Sequence, residues 1–235
     1  MCAIKHVSNI FHTTAILCFG YALVYDLFHV YLPAYDPEET FPGRWKFLSV
    51  WNVVLQLVFH SVALLNDLFG TNETASNRTS LLQCVRDWLF ASWAFPIGLF
   101  VSVTYWALIA YDPSLVFPID GKPFFPPWLN QIVHTGPAVF VLLELFFIPK
   151  SETESVCSVF RPCTNLGYTV TYLAWITWVH SQNGVWAYPI LDGLNVFLQA
   201  AFFVACGLTL LGLYFLGAII AKCRWGKGSF QTAQS

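Results

Sequence analysis

Six long apolar stretches, separated by short polar connectors, limit what this chain can fold into. A helix needs roughly 20 mostly apolar residues to cross the roughly 30 Å hydrocarbon core of a bilayer. Six stretches meet or approach that length: 10–32, 47–65, 88–110, 128–148, 164–179 and 194–221. The fifth stretch is the shortest and is rich in threonine. The sequence therefore predicts an all-α integral membrane protein, built as a bundle of six transmembrane helices.

The composition agrees with a membrane location. Hydrophobic residues make up 57% of the 235 residues and charged residues only 10%. A soluble domain has about 25% charged residues, so this chain has too few to cover a water-facing surface. The net charge of −2 and the lack of a basic arm argue against a nucleic-acid partner. Because no connector is long enough to fold separately, we expect one polytopic membrane domain over 1–235.

Basic residues are divided unevenly between the two sides of this arrangement. With six spans, one side holds both termini and the second and fourth connectors. That side has eight lysines and arginines, and the other side has three. Basic residues are enriched on the cytoplasmic side of membrane proteins, so the count predicts that both termini are cytosolic. The predicted location is the plasma membrane or an endomembrane.

Polar residues within the spans are candidate functional residues, because each is costly to place in lipid. Ser49 lies just inside one face on the second span, and His134 lies about two turns inside the same face on the fourth. Their depths differ by only a few ångströms at about 1.5 Å per residue. If the two helices are neighbours, the imidazole can take the hydroxyl proton while the oxygen attacks a carbonyl carbon. The sequence therefore suggests a Ser49–His134 dyad.

Two asparagines are candidate supporting residues. Asn52 lies one turn after Ser49, and Asn130 lies one turn before His134, so each pair shares a helix face. Asn52 could hold an oxyanion, and Asn130 could orient the imidazole. Purely structural interpretations stay open, since membrane serines often bond to their own helix and membrane histidines often join helices. The chain has no zinc-type spacing of Cys and His, so we expect no metal and no cofactor.

Six short stretches distinguish this chain from other polytopic proteins. They are RWKFLS at 44–49, RDW at 86–88, AFP at 94–96, WLN at 128–130, HT at 134–135 and WAYP at 186–189. In this order and at these spacings they resemble the androgen-induced gene 1 and androgen-dependent TFPI-regulating protein family of multipass membrane hydrolases. The resemblance runs from the second span through the fifth.

The resemblance implies a hydrolase of fatty acid esters of hydroxy fatty acids, with a threonine nucleophile and a histidine. The family's histidine matches His134, and its threonine falls on Ser49, where this chain departs from the family pattern. A serine hydroxyl is chemically equivalent and less hindered. The resemblance therefore implies a lipid ester as substrate, surrounding membrane lipids as partners, and no cofactor.

Two other functions fit the same sequence. The first is a non-enzymatic membrane protein that binds lipid or regulates other membrane proteins. The second is a proton or ion transporter that uses Asp26, His29 and His134. A transporter needs a polar stripe across the whole bilayer, and the sequence suggests polar residues gathered at one end. We therefore rank transport last.

Overall fold

The structure is a computed structural model that describes residues 2–30, 42–72, 79–117, 125–150 and 156–225. These residues form helices and connecting turns, without a β-strand. The α-helices are α1 (Cys2–His29), α2 (Leu48–Phe69), α3 (Leu81–Leu89), α4 (Phe95–Tyr111), α5 (Pro127–His134), α6 (Gly136–Phe147), α7 (Val156–Asn183) and α8 (Val196–Trp225). The prediction of an all-α fold is confirmed for the described residues.

Within the described residues, five helical segments are long and apolar enough to cross a membrane: Lys5–His29, Leu48–Phe69, Leu81–Tyr111, Pro127–Phe147 and Val196–Trp225. They correspond to the predicted spans 10–32, 47–65, 88–110, 128–148 and 194–221. The last two residues of the first predicted span, 31 and 32, lie outside the described residues. The match confirms an integral membrane protein with several apolar helices.

The fifth predicted span, 164–179, lies within α7. The helix is much longer than the prediction, because it runs for 28 residues from Val156 to Asn183. It is not among the five segments that are both long enough and apolar enough to cross a membrane. Length therefore allows α7 to span a bilayer, whereas its polar residues lower its mean hydropathy.

The third span contains a π-helical segment, Phe90–Ala94, between α3 and α4. Pro96 is the second residue of α4, and a proline removes one backbone N–H from the helical ladder. Side chains of neighbouring helices bond to the carbonyls of this segment. Asn165 Nδ2 donates to Ser92 O at 2.9 Å, and Gln56 Nε2 donates to Ala94 O at 2.9 Å. The widened turn is thus fixed to α7 and α2.

The fourth span is broken at Thr135, between α5 and α6. Pro137 has no N–H to donate, so the α-helical ladder is interrupted there. The Ala138 N–H bonds to the Ser102 hydroxyl of α4, at 3.3 Å, in place of the carbonyl four residues earlier. The break makes His134 the last residue of α5.

Helix α2 lies near the middle of the bundle, where it packs against α1, α3, α4 and α5. Helix α4 packs in turn against α6 and α8. A core of aromatic and aliphatic side chains, centred on Phe59, Phe90 and Phe95, joins these helices. This packing places Ser49 and His134 on helices that touch.

A close helix contact at Gly217 gives a stability prediction. A Cβ added there would lie 2.6 Å from two ring carbons of Phe95. We expect Gly217→Leu to destabilise the protein by about 1–3 kcal/mol, because the buried Phe95 ring must move. Gly212→Leu on the same helix is the matched control, since a Cβ there meets no atom within 4 Å. Thermal unfolding in detergent measures both, and equal melting temperatures would contradict the prediction.

Candidate active site

A cavity of about 210 Å³ lies at the end of the bundle where α2 begins. Helices α1, α2, α4, α5, α7 and α8 all contribute to its wall. Most of the lining side chains are aliphatic or aromatic, and Ser49 and His134 are both among its polar residues. The structure therefore brings the two predicted catalytic residues to one apolar chamber.

Ser49 is the second residue of α2 and is partly buried. The N–H groups in the first turn of a helix have no acceptor within the helix, and the helix dipole is positive there. A serine in this position lies where developing negative charge is stabilised. Among the described residues, none is hydrogen-bonded to the Ser49 hydroxyl. The purely structural interpretation expected this hydroxyl to donate to a carbonyl of its own helix. The structure shows no such hydrogen bond among the residues it describes.

A network of tyrosines holds the beginning of α2 in place. The Leu48 N–H donates to the Tyr188 hydroxyl at 2.8 Å. The hydroxyls of Tyr188 and Tyr172 lie 3.0 Å apart, and Tyr172 donates to Lys46 O at 2.9 Å. Since Tyr172 belongs to α7 and Tyr188 to the connector before α8, residues far along the chain fix the position of Ser49.

His134 is buried, and contacts on two sides orient its ring. Its Nδ1 lies 2.7 Å from Asn130 Oδ1, one turn earlier on α5. An amide oxygen can only accept, so Nδ1 carries the proton and Nε2 has a free lone pair. The Tyr105 ring of α4 stacks on the imidazole, with ring centroids 3.5 Å apart and an angle of 7° between planes. The two contacts hold the imidazole in one orientation.

The structure brings together some of the predicted residues and separates others. Asn130 contacts His134, as the sequence suggested. Asn52 is fully buried but does not line the cavity, and its Oδ1 accepts a hydrogen bond from Gln56 at 3.1 Å. Ser49 and His134 share the cavity without a hydrogen bond between them. Hydrogen bonds between catalytic groups are often long without substrate and shorten when it binds.

The cavity also contains one ion pair. Arg44 Nη1 lies 2.9 Å from Asp26 Oδ1, and both residues line the chamber. Arg44 also donates to the carbonyl of Val30. These contacts join the end of α1 to the segment that leads into α2. The transporter interpretation assigned Asp26 to an ion path. In the structure its carboxylate is instead paired with Arg44.

Lys46, in the 3₁₀ turn before α2, gives a prediction about pH. It is only 2% exposed, and burial lowers the pKa of Lys46 to about 8. Between pH 8 and about 10.4, the ordinary lysine pKa, the unfolded chain binds more protons than the folded one, so stability rises with pH. We expect the melting temperature to increase over this range. Lys46→Met should flatten the increase, and Lys222→Met, at an exposed site on α8, should not.

Tyr105, Tyr172 and Tyr188 were not recognised from the sequence as site residues. Tyr188 belongs to the WAYP stretch, which indicated its importance but not its contact with α2. The other two lie in apolar helices, where a tyrosine gives no signal of its own. Only the packing of α4 and α7 against α2 and α5 reveals them.

The expectation that polar residues gather at one end of the bundle is wrong. One face of α2 carries a polar stripe of Ser49, Asn52, Gln56, His60 and Asp67, at intervals of 3, 4, 4 and 7 residues. All except Ser49 are at most 1% exposed. The stripe covers roughly 27 Å at about 1.5 Å per residue, which is nearly the thickness of the hydrocarbon core. It ends in a second buried polar cluster that the sequence did not suggest.

Known proteins resemble this chain over most of its length. The profile of the FAR-17a/AIG1-like protein family matches residues 7–222. The chain belongs to this family. The human androgen-induced gene 1 protein is 31% identical over 194 residues, which cover 80% of each chain. The mouse androgen-dependent TFPI-regulating protein is 34% identical over 185 residues, which cover 78% of each chain.

A more distant relative supports the membrane location. A UPF0641 membrane protein of Schizosaccharomyces pombe is 25% identical over 178 residues, covering 75% of this chain and 74% of its own. No solved structure matches this chain. The resemblance seen in the sequence is confirmed by these relatives.

Proposed function

We propose that this FAR-17a/AIG1-like protein is a membrane-embedded lipid esterase that hydrolyses fatty acid esters of hydroxy fatty acids. Ser49 is the nucleophile and His134 is the base. The observation that carries the proposal is that both residues line one apolar cavity, on helices that pack together. An apolar chamber with a few polar groups is typical of a site for a lipid.

The reaction follows from the position of the protons. His134 Nε2 takes the Ser49 proton while the serine oxygen attacks the ester carbonyl carbon. When the tetrahedral intermediate collapses, the carbon–oxygen ester bond breaks, and the hydroxy fatty acid leaves with the proton from the imidazolium. Water then attacks the acyl-serine, His134 again takes and returns a proton, and the fatty acid leaves. Because Asn130 accepts from Nδ1, the imidazole keeps the tautomer that both steps need.

The negative oxygen of each tetrahedral intermediate needs hydrogen-bond donors. In the first turn of α2 the N–H groups of Val50 and Trp51 donate to Phe47 O, and the Ser49 N–H is left without an acceptor among the described residues. The Leu48 N–H is already bonded to Tyr188, which fixes the turn rather than the substrate. We therefore assign oxyanion stabilisation to the beginning of α2, in place of the Asn52 side chain.

The topology is also part of the proposal. Helix α7 packs against α8, and α7 residues line the cavity beside residues of the apolar spans. We assign α7 as the sixth transmembrane helix, which gives an even number of spans. Six spans put both termini on one side of the membrane, and the excess of basic residues on that side indicates the cytosol. We therefore propose cytosolic termini and a cavity towards the opposite side. The membrane concerned is the plasma membrane or an endomembrane.

Labelling with a fluorophosphonate probe tests the nucleophile directly. Membranes that contain the wild-type protein should form a covalent adduct, located on Ser49 by peptide mass spectrometry. Ser49→Ala should abolish it. Ser61→Ala is the matched control, because Ser61 lies on the same helix and its hydroxyl bonds to Leu57 O at 2.8 Å. Labelling that persists in Ser49→Ala counts against the proposal.

The polar stripe of α2 favours a second candidate, a proton or ion transporter. Asn52 Nδ2, Gln56 Oε1 and His60 Nε2 are buried and have no hydrogen-bond partner in the part of the chain that the structure describes. In proteoliposomes loaded with a pH-sensitive dye, a transporter would dissipate a pH gradient, and Gln56→Leu would slow it. We expect no such leak, because the unpaired groups are enclosed and the adjoining cavity is lined mainly by apolar side chains.

A further inference from the structure

A second cluster of polar residues lies at the end of α2 opposite to Ser49. This histidine cluster consists of His12 from α1, His60 and Asp67 from α2, and Glu144 from α6, and each is at most 1% exposed. The Nδ1 atoms of the two histidines lie 3.0 Å apart. The Nε2 of His12 lies 3.5 Å from a carboxylate oxygen of Asp67 and 3.7 Å from one of Glu144. Three separate helices therefore converge on one point.

The charges around the histidine cluster do not balance. Lys150 forms an ion pair with Glu144, and Arg86 Nη2 lies 2.7 Å from Asp87 Oδ1. Asp67 accepts hydrogen bonds from Ser8 and Asn72, and no lysine or arginine of the described chain forms an ion pair with it. One negative charge is left over in a region without solvent. A buried charge without a counter-charge costs several kcal/mol, so the cluster needs a cation, which is either a proton on His12, 3.5 Å from Asp67, or a bound ion.

Three residues of the cluster each have one buried polar atom without a hydrogen-bond partner among the described residues. His12 Nε2, His60 Nε2 and Glu144 Oε2 are buried, and within the described part of the protein no hydrogen bond reaches them. Glu144 binds Lys150 through its other oxygen, Oε1, which leaves Oε2 free. Buried polar atoms normally have partners, so a shared absence in adjacent groups indicates a common ligand.

We infer that the histidine cluster binds a divalent transition-metal ion, of which zinc fits best. His12, His60 and Glu144 each supply one ligand atom, and these atoms lie within 4.8 Å of one another. Two imidazoles and a carboxylate are a common zinc donor set, with bonds of about 2.0–2.2 Å. Asp67 lies beside this donor set, with one carboxylate oxygen 3.5 Å from His12 Nε2, and its carboxylate accepts hydrogen bonds from Ser8 and Asn72.

The role that follows for the ion is structural. It joins α1, α2 and α6 through His12, His60 and Glu144, all of which are fully buried, so the site is closed to solvent and substrate. His60 is eleven residues from Ser49 along α2, a distance of roughly 16 Å. The metal site and the esterase site are therefore separate, and either one can be present without the other.

Metal analysis of the purified full-length protein tests the inference. Protein prepared without chelator should contain about one zinc ion per chain by plasma mass spectrometry. After chelator treatment, added zinc should raise the melting temperature by about 5 °C or more. Cobalt added in place of zinc should give the visible absorption bands of a tetrahedral site. None of these measurements depends on ester hydrolysis.

Two variants separate this site from incidental binding. His60→Ala should lose the zinc and the cobalt spectrum, and His180→Ala, which removes a histidine at the other end of the bundle, should keep both. If His60→Ala does not fold, the titration of chelator-treated wild type remains decisive. Monodisperse wild-type protein that binds neither metal and gains no stability would overturn the inference and would indicate a proton shared by the two imidazoles. Retention of zinc by well-folded His60→Ala would overturn it as well.

Discussion

Ser49→Ala and His134→Ala should each lower hydrolysis of a fatty acid ester of a hydroxy fatty acid by at least about 100-fold. The first change removes the attacking oxygen, and the second removes the only imidazole that lines the cavity. The measurement is release of the two acids by membranes that contain equal amounts of each protein. Ser61→Ala and His29→Ala are the controls, because they remove the same groups outside the cavity, and both should retain wild-type rates.

Two further variants test the arrangement around this pair. Ser49→Thr should stay active, since the resemblance places a threonine nucleophile at this position. Asn130→Ala should give a loss smaller than that of His134→Ala, because the imidazole remains but no longer has its 2.7 Å partner at Nδ1. Asn130 is a positioning residue, so its loss should lower kcat more than it changes KM.

The pattern of results distinguishes the hydrolase from its rivals. Activity that appears only with Ser49→Thr would show that the site is assigned correctly. It would also show that the wild-type protein, with serine at this position, has lost or changed the reaction. Well-expressed proteins that hydrolyse no ester in any form would make the non-enzymatic lipid-binding role the leading function. Wild-type activity that survives His134→Ala would require a different base.

Apolar runs predicted the spans because lipid imposes a length and a composition on every helix that crosses it. The same rule fails for α7, whose threonines and asparagine bond to its own carbonyls or to the π-helical segment. The break at Thr135 was visible in principle, since Pro137 was present in the sequence. The missing backbone hydrogen bond of Ala138 was not visible in the sequence, because its replacement is the Ser102 hydroxyl of another helix.

The candidate site was accessible from the sequence only in part. Ser49 and His134 lie at similar depths, and depth can be counted along each helix. The tyrosines that fix α2 cannot be found in this way, since Tyr188 and Leu48 are 140 residues apart. The pairing of His12 with His60 likewise depends on α1 packing against α2 in one register. Contacts between helices, rather than the helices themselves, are what the sequence leaves open.

Arg86→Leu should be the most destabilising single change at the opposite end of the bundle. Arg86 is fully buried, and its guanidinium donates to Asp87 Oδ1 at 2.7 and 2.9 Å and to Pro149 O at 2.9 Å. Removal of one partner of a buried ion pair costs about 3–5 kcal/mol, because the other charge is left without compensation. We expect the melting temperature in detergent to fall by about 10 °C.

A double substitution shows whether charge or packing is responsible. Arg86→Leu with Asp87→Leu removes both charges, so it should be more stable than Arg86→Leu alone. Lys222→Leu, which removes an exposed cation from α8, is the control and should change the melting temperature little. Equal stability of the single and double variants would show that the carbonyl of Pro149 and the lost packing matter more than Asp87. Recovery of the melting temperature in the double variant would instead show that Arg86 and Asp87 of the RDW stretch neutralise each other's buried charge. The pair would then act as one unit that fixes α3 to the connector after α6.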